Sequence, residues 1–314
     1  YLYLTQKGRC MYTGKHIATK LWVGDYTTGD TFEKFAQKAE GIKRIGVLRA
    51  DVDNLGQTFV AGFAGKYATL SRTAALSRQL SIFFKYYIRS ILKNGEYHID
   101  GEKKLTERNA TIVYSGGDDV FIVGAWNEVI ELSIDLQEKF KKYTQGTLSI
   151  SSGIGIYECT YPIGAIANET GEMEAESKRM PEKDSVTFMD DGETHLINEL
   201  EICDGTYRWE ELYKSVLGEK YDVIQDFLGE SDERGMSFLY RMLELIRNQK
   251  EKINFARFVY LLSRLEPDKE GEKKEKYRKF SRKMYQWVQS EKDCRELKTA
   301  INLYAYMHRE KGAH

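Results

Sequence analysis

Thr111-Ile112-Val113-Tyr114-Ser115-Gly116-Gly117-Asp118-Asp119-Val120-Phe121-Ile122-Val123 sets two glycines and two adjacent carboxylates between two apolar runs of strand length. Such runs around a Gly-rich turn predict a β-hairpin with the aspartates at its tip. Neighbouring carboxylates repel each other and are hard to desolvate, and a divalent cation is the simplest partner that relieves both penalties. A solvated type I′ turn draws on the same residue types, because Asp tolerates left-handed backbone and bonds to its own main chain.

A second acidic element favours the cation. The apolar run Ile45-Gly46-Val47-Leu48-Arg49-Ala50 ends in Asp51-Val52-Asp53-Asn54-Leu55-Gly56. Residues at i and i+2 of a strand share a face, so Asp51 and Asp53 are expected to project to the same side near the strand end. If this strand pairs with the hairpin, Asp51 reaches the same ion as Asp118 and Asp119. Mg²⁺, a hard cation, takes oxygen ligands of this kind and leaves its other positions to water and substrate phosphates. For Asp53 and Asn54 two readings stand, capping of the next helix or contact with a nucleotide.

Composition frames these motifs. A chain of 314 residues with 41% hydrophobic and 30% charged residues is long enough for two domains with real cores. It has no apolar run of membrane-spanning length and no signal peptide. It begins at Tyr1, inside what reads as structured sequence, and is expected to be part of something larger. A net charge of −1 gives no whole-molecule attraction to nucleic acid. Cys10, Cys159, Cys203 and Cys294 form no close pair, which disfavours structural zinc and a disulfide framework and suits a reducing cytoplasm. The five histidines show no ligand spacing and read as surface or loop residues.

Along the chain, Leu21–Tyr26 is a possible short strand, and Thr31 caps a short helix that ends at Gly41. Leu55–Phe63 and Arg72–Leu92 are expected helices, the second with Leu76, Leu80, Phe83, Phe84, Tyr87, Ile88 and Ile91 at helical spacing. Asn94–Asn109 reads as an exposed polar loop. A helix over Glu128–Tyr143, a strand over Leu148–Tyr157, a helix over Pro162–Met180 interrupted near Gly171, and a last strand at Ser185–Met189 follow. Gly153 and Gly155 suit a central strand passing close to other backbone. The order β-α-α-β-β-α-β-α-β predicts an α+β sheet with packed helices.

From about Tyr207 only helical patterns remain, predicting a second, all-α domain. The expected division is a lead-in over 1–40, the sheet domain over 41–204 and a helical bundle over 205–314. Lys269–Lys283 carries eight Lys or Arg against three Glu, a solvated face or a nucleic-acid contact. Its aromatics Tyr277, Phe280, Tyr285 and Trp287 sit at helical spacing and read as core.

The sheet region resembles a known family. Asp51-Val52-Asp53-Asn54-Leu55-Gly56, Leu76-Ser77-Arg78-Gln79-Leu80-Ser81-Ile82-Phe83-Phe84-Lys85 and Tyr114-Ser115-Gly116-Gly117-Asp118-Asp119 are similar to the second Palm domain of the large subunit of type III CRISPR effector complexes. Ala18–Tyr26 and Gly41–Arg49 also resemble its Csm (III-A) branch, and the helical tail resembles that subunit's C-terminal domain. The resemblance implies a ferredoxin-like Palm sheet of the GGDEF cyclase and polymerase type. It also implies synthesis of cyclic oligoadenylate from ATP upon target RNA binding, within a ribonucleoprotein of further subunits and guide RNA.

The same resemblance implies two ions, Mg²⁺ or Mn²⁺, held by Asp51, Asp118 and Asp119, with Asp118 and Asp119 as the catalytic pair. Gly116 and Gly117 would let backbone approach the nucleotide, and Ser77 and Ser81 would meet adenine or ribose or else permit helix–sheet packing. Lys178 and Lys183 fall where the cyclase relatives hold triphosphate, although Glu182 and Asp184 stand in place of the usual Gly and Asn, so a plain surface loop is an equal reading. The family's N-terminal HD nuclease domain and first Palm domain have no counterpart in this sequence, so a lone chain is expected to bind ATP and metal without efficient cyclisation. Two other classes remain: a diguanylate cyclase-like enzyme using GTP, and a non-catalytic scaffold of a ribonucleoprotein.

Overall fold

The structure, a computed structural model, describes residues 24–63, 65–101, 104–229, 234–247 and 252–309. The strand expected at Leu21–Tyr26 begins outside these residues; within them, Thr27 makes an isolated bridge to Thr111. Helix α1 (Phe32–Lys38) starts as its sequence dictates, with the Thr31 hydroxyl accepting from the Lys34 amide.

The central strand is β1 (Ile45–Val52), the strand that ends in the acidic motif. Helix α2 (Leu55–Ala61) follows, and then a long helix whose first part is α3 (Leu70–Ile82) and last part α4 (Ile88–Lys93), joined by a π-helical turn over Phe83–Tyr87. The hairpin consists of β2 (Ala110–Ser115) and β3 (Asp119–Ala125). Helix α5 (Trp126–Tyr143), strand β4 (Ile150–Tyr157), helix α6 (Ile163–Ser177) and strand β5 (Ser185–Phe188) complete the expected series.

Strand order from the hairpin edge is β2-β3-β1-β4-β5, with β1 antiparallel to both β3 and β4. The first four strands thus have the ferredoxin-like βαββαβ arrangement, and the family's fold expectation holds. Alternate residues of β1 go to opposite layers. Leu48, Ala50 and Val52 enter the main core with α4 and α5, whereas Ile45 and Val47 join a smaller core with Phe35, Val123 and Ile166. Gly153 lies directly under α6, where a Cβ would come within 2.5 Å of the Thr170 carbonyl, so the close backbone approach expected of this strand is real.

Several expectations are corrected. Ser185–Met189 is not the last strand: β6 (Thr194–Ile197), β7 (Leu200–Cys203) and β8 (Thr206–Arg208) follow, with β8 joining the sheet against β5 and β6–β7 forming a separate hairpin. At three or four residues each, these strands are too short for a period-2 pattern to stand out. Helix α6 runs through Gly171 without a break.

The Asn94–Asn109 segment is not a free loop. Its Arg108 is buried, pairs with Glu131 and donates to Asp135 at 2.7 Å, while Asp135 also accepts the Tyr97 amide and Glu131 the Ile99 amide. Composition hid this because the residues that pin the segment are themselves charged. His98, 3.4 Å from Glu131, belongs to this half-buried cluster rather than to the surface.

Beyond β8 the chain is helical. A π-helical stretch over Glu211–Tyr221 leads into α7 (Asp222–Leu228), followed by α8 (Arg234–Arg247), α9 (Lys252–Ser263), α10 (Glu272–Trp287) and α11 (Glu291–His308). On α10, Tyr277, Phe280 and Trp287 are buried as the spacing predicts, although Tyr285 is exposed. The basic residues of that run are drawn into ion pairs, among them Lys274–Glu270, Lys279–Asp226 and Lys283–Glu219. The helices share the main core with the sheet. Trp209 donates to the Ile150 carbonyl at 2.8 Å, and the Ile42 amide donates to Tyr306 of α11 at 2.9 Å. The edge of Trp126 meets the Tyr306 ring. Among the described residues no helix is long and apolar enough to cross a membrane, and Cys159, Cys203 and Cys294 are free thiols.

Replacing Arg108 with Met would leave two buried carboxylates without their guanidinium. Such losses cost about 3–5 kcal/mol, and calorimetry should show a correspondingly lower Tm, with the polar face of the sheet unchanged.

Candidate active site

The Gly-Gly-Asp-Asp stretch forms the hairpin turn, closed by the Gly116 amide donating to the Asp119 carbonyl at 2.8 Å. Neither glycine has positive φ, so the turn is not type I′. At Gly116 the Asp119 carboxylate and the Tyr114 hydroxyl occupy the space a Cβ would take, and a side chain there would displace both. The β1–β3 register places Asp51 directly opposite Asp119, and the Val52 amide donates to the Asp118 carbonyl at 3.1 Å. The three aspartates expected to act together are therefore brought together by strand pairing.

Their charges affect one another. Burial raises the Asp118 carboxyl above its usual range, and the charges of Asp51 and Asp119 push it further, against the pull of Lys178. Lys178 pairs with Asp51 and with Glu174, the latter at 2.8 Å. Burial pushes the Lys178 ammonium down, but its hydrogen bonds to Asp51 and Glu174 outweigh this and raise it. Three crowded carboxylates at one strand end, with one ammonium among them, fit a divalent cation chemically. Asp51, Asp118 and Asp119 would hold it.

Their oxygens are not drawn into a closed set. The one tight group of three carboxylates among the described residues is Asp191, Glu193 and Asp204, and Lys298 already lies 2.6 Å from Glu193 and 2.7 Å from Asp204.

Asp53 does not share the position of Asp51. It is buried, accepts from the Ser149 hydroxyl at 2.7 Å and the Asp184 amide at 3.1 Å, and leaves its second oxygen without a hydrogen-bond partner. It makes no helix cap. Strand β1 ends at Val52, so the period-2 argument does not extend to residue 53. Asn54 is the left-handed residue preceding α2; its side chain makes no cap bond and instead accepts from Lys183 at 2.8 Å.

The loop after α6 is anchored. Glu182, Lys183 and Asp184 all have positive φ, at 69°, 56° and 48°. Glu182 and Asp184, which replace the glycine and asparagine of the cyclase pattern, thus adopt the backbone those residues favour. Ser81 lies beside the hairpin turn, with its hydroxyl 3.6 Å from where a Gly117 Cβ would stand. Ser77 is exposed one turn earlier on α3.

Two residues of this neighbourhood were not singled out by sequence reasoning. Glu174 carries Lys178, and Arg49 donates to Glu174 at 2.9 Å. The signals were present: Glu174 and Lys178 are spaced i,i+4, and Arg49 and Asp51 share a strand face.

Residues 44–187 match the family described as Cas10/Cmr2, second palm domain, and residues 225–310 match the CRISPR RNA silencing complex Cmr2 subunit, second helical domain. The chain belongs to the Cas10/Cmr2 family. The Cas10/Csm1 protein (subtype III-A) of Mycobacterium tuberculosis is 42% identical over 305 residues, and that of Enterococcus italicus 38% over 307. Both bear the name CRISPR system single-strand-specific deoxyribonuclease. These alignments cover 96% and 95% of the chain but 36% of each relative, so the chain spans little more than a third of their length.

A Csm1–Csm4 subcomplex from a type III-A interference complex superposes with TM-score 0.68 at 27% identity, covering 91% of this chain and 40% of its own. A Csm1–Csm4 cassette in complex with pppApApA gives 0.68 at 26%, covering 93% and 43%. The cassette with AMPPNP gives 0.66 at 26%, covering 92% and 42%.

The acids of this Cas10/Cmr2 palm should separate by stability. Asp53→Ala removes the acceptor of the half-buried Asp184 amide and Ser149 hydroxyl and should cost about 1–3 kcal/mol. Asp118→Asn should be neutral or stabilising at pH 7. Its folded carboxyl titrates above the unfolded value of 3.8, so ionisation penalises the fold increasingly as pH rises through that window. Denaturant titration of both variants at pH 4 and pH 7 checks the pair.

Proposed function

We propose that this chain is the palm and helical part of a cyclic oligoadenylate synthase in a type III-A CRISPR ribonucleoprotein. The observation that carries the reading is the β1–β3 register, which sets Asp51 opposite Asp119 with Asp118 at the same hairpin tip. The substrate is ATP, in keeping with relatives solved with AMPPNP and with pppApApA. A ribose 3′-oxygen attacks the α-phosphorus of a second ATP, the bond to pyrophosphate breaks, and the hydroxyl proton passes to solvent water.

Asp51, Asp118 and Asp119 supply the anionic oxygens that hold two divalent cations. When bound, those ions would make the 3′-hydroxyl more acidic and neutralise the triphosphate and the departing pyrophosphate. The glycine pair keeps the turn free of side chains where a nucleotide approaches, and Ser81, beside Gly117, meets base or ribose in this reading, together with Ser77 one turn earlier on α3. Lys178 and Lys183 carry positive charge to the rim for phosphates. Lys183 reaches it because Asn54 accepts its ammonium, and the loop is fixed through the buried Asp53.

A single palm presents a single half-site, so we propose that a facing palm completes the site and that other Csm subunits, guide RNA and target RNA control it. The domains then divide near residue 205, with β8 tying the helical part to the sheet.

The test is product analysis by mass spectrometry of the assembled complex with ATP, Mg²⁺ and target RNA. Asp118→Asn with Asp119→Asn should lower cyclic oligoadenylate formation on the order of a thousandfold, the scale on which charge-stabilising groups act in phosphoryl transfer. A guanosine product from GTP would indicate a diguanylate-type enzyme instead, and unchanged oligoadenylate output in the double variant would overturn the assignment.

A further inference from the structure

Four charges of alternating sign run from the sheet to the acidic site. Arg49, on β1, donates to Glu174 at 2.9 Å; Glu174 accepts from Lys178 at 2.8 Å; and Lys178 pairs with Asp51. The run is built into the packing. Gly153 lets α6 lie against β4, which sets Glu174 and Lys178 over the strand end. Gly171, one turn before Glu174, leaves room for the Arg49 guanidinium, since a Cβ there would come within 2.8 Å of Nη1. Glu174 is buried whereas Arg49 is partly exposed, so the carboxylate is fixed by its neighbours and not by solvent.

The Lys178 ammonium therefore occupies Asp51, one of the three carboxylates assigned to metal. A cation bound at Asp51 meets a like charge within a few ångströms, and either the ammonium leaves or the ion binds weakly. Glu174 offers the ammonium a second carboxylate, and the triphosphate of an incoming nucleotide offers anionic oxygens nearby.

We propose that Lys178 is a tethered counter-ion that occupies Asp51 until nucleotide arrives, and that Glu174, oriented by Arg49, is the positioning residue that retains it. Lys178 thereby couples metal to nucleotide. Without ATP it suppresses metal binding, and with ATP it moves to phosphate and frees Asp51. This rests on the assignment of Asp51 as a metal ligand.

The experiment measures Mn²⁺ binding by electron paramagnetic resonance in the full-length subunit, with and without ATP, for wild type, Lys178→Met, Arg49→Met and Asp51→Asn. Removing one charge at this distance and partial exposure should tighten nucleotide-free Mn²⁺ binding about tenfold in Lys178→Met. ATP affinity should fall, so the stimulation of Mn²⁺ binding by ATP should largely vanish. Arg49→Met, which leaves Lys178 in place but releases Glu174, should weaken ATP stimulation to a smaller extent. Circular dichroism of each variant confirms folding.

If Asp51→Asn leaves Mn²⁺ binding unchanged, Asp51 is no ligand, and the site assignment falls together with the proposal. If Asp51→Asn abolishes binding while Lys178→Met matches wild type without ATP, the assignment stands and the counter-ion proposal is overturned.

Discussion

Everything at the candidate site depends on the antiparallel register between β1 and β3. A slip of one residue would rotate Asp51 to the opposite layer, in among the apolar side chains that Leu48 and Ala50 occupy, and would leave the hairpin aspartates without their partner. The register is held by apolar pairs such as Leu48 with Ile122 and Val47 with Val123, each buried in a different layer. The hydrophobic pattern that folds the sheet is thus also what concentrates negative charge at its end. Packing energy holds together carboxylates whose mutual repulsion favours separation.

The long elements could be read directly from sequence, because each buries one continuous face. Helix α5 and the four strands of the ferredoxin-like unit carry periodic apolar residues over enough length to declare their type. What sequence did not reveal was held together by contacts between residues far apart in the chain. Arg108 looks like one more charge in a polar loop until α5 presents Glu131 and Asp135 to it. Asp53 looks like a twin of Asp51, yet the strand ends between them, and its carboxylate turns inward to fasten Ser149 and Asp184. The short strands β6 to β8 are specified by pairing and turns more than by pattern.

The site shows the same division. The aspartates and glycines were legible because their chemistry demands those residue types in that order. Glu174 was not, since its i,i+4 spacing to Lys178 is common on helices and gains its meaning only when Arg49 reaches it from β1 and Lys178 turns to Asp51. The loop at Glu182–Asp184 shows a related effect, with non-glycine residues held in left-handed backbone by their surroundings rather than by their own preferences.

The junction of α11 with the segment entering β1 has a mechanical consequence. The Tyr306 carbonyl holds the Ile42 amide, and the Tyr306 ring abuts Trp126 at the head of α5. Helix α11 is thereby riveted to the root of the strand whose far end carries Asp51. Because β1 is paired along its length to β3 on one side and β4 on the other, that root and the acidic tip belong to one continuous element of the sheet.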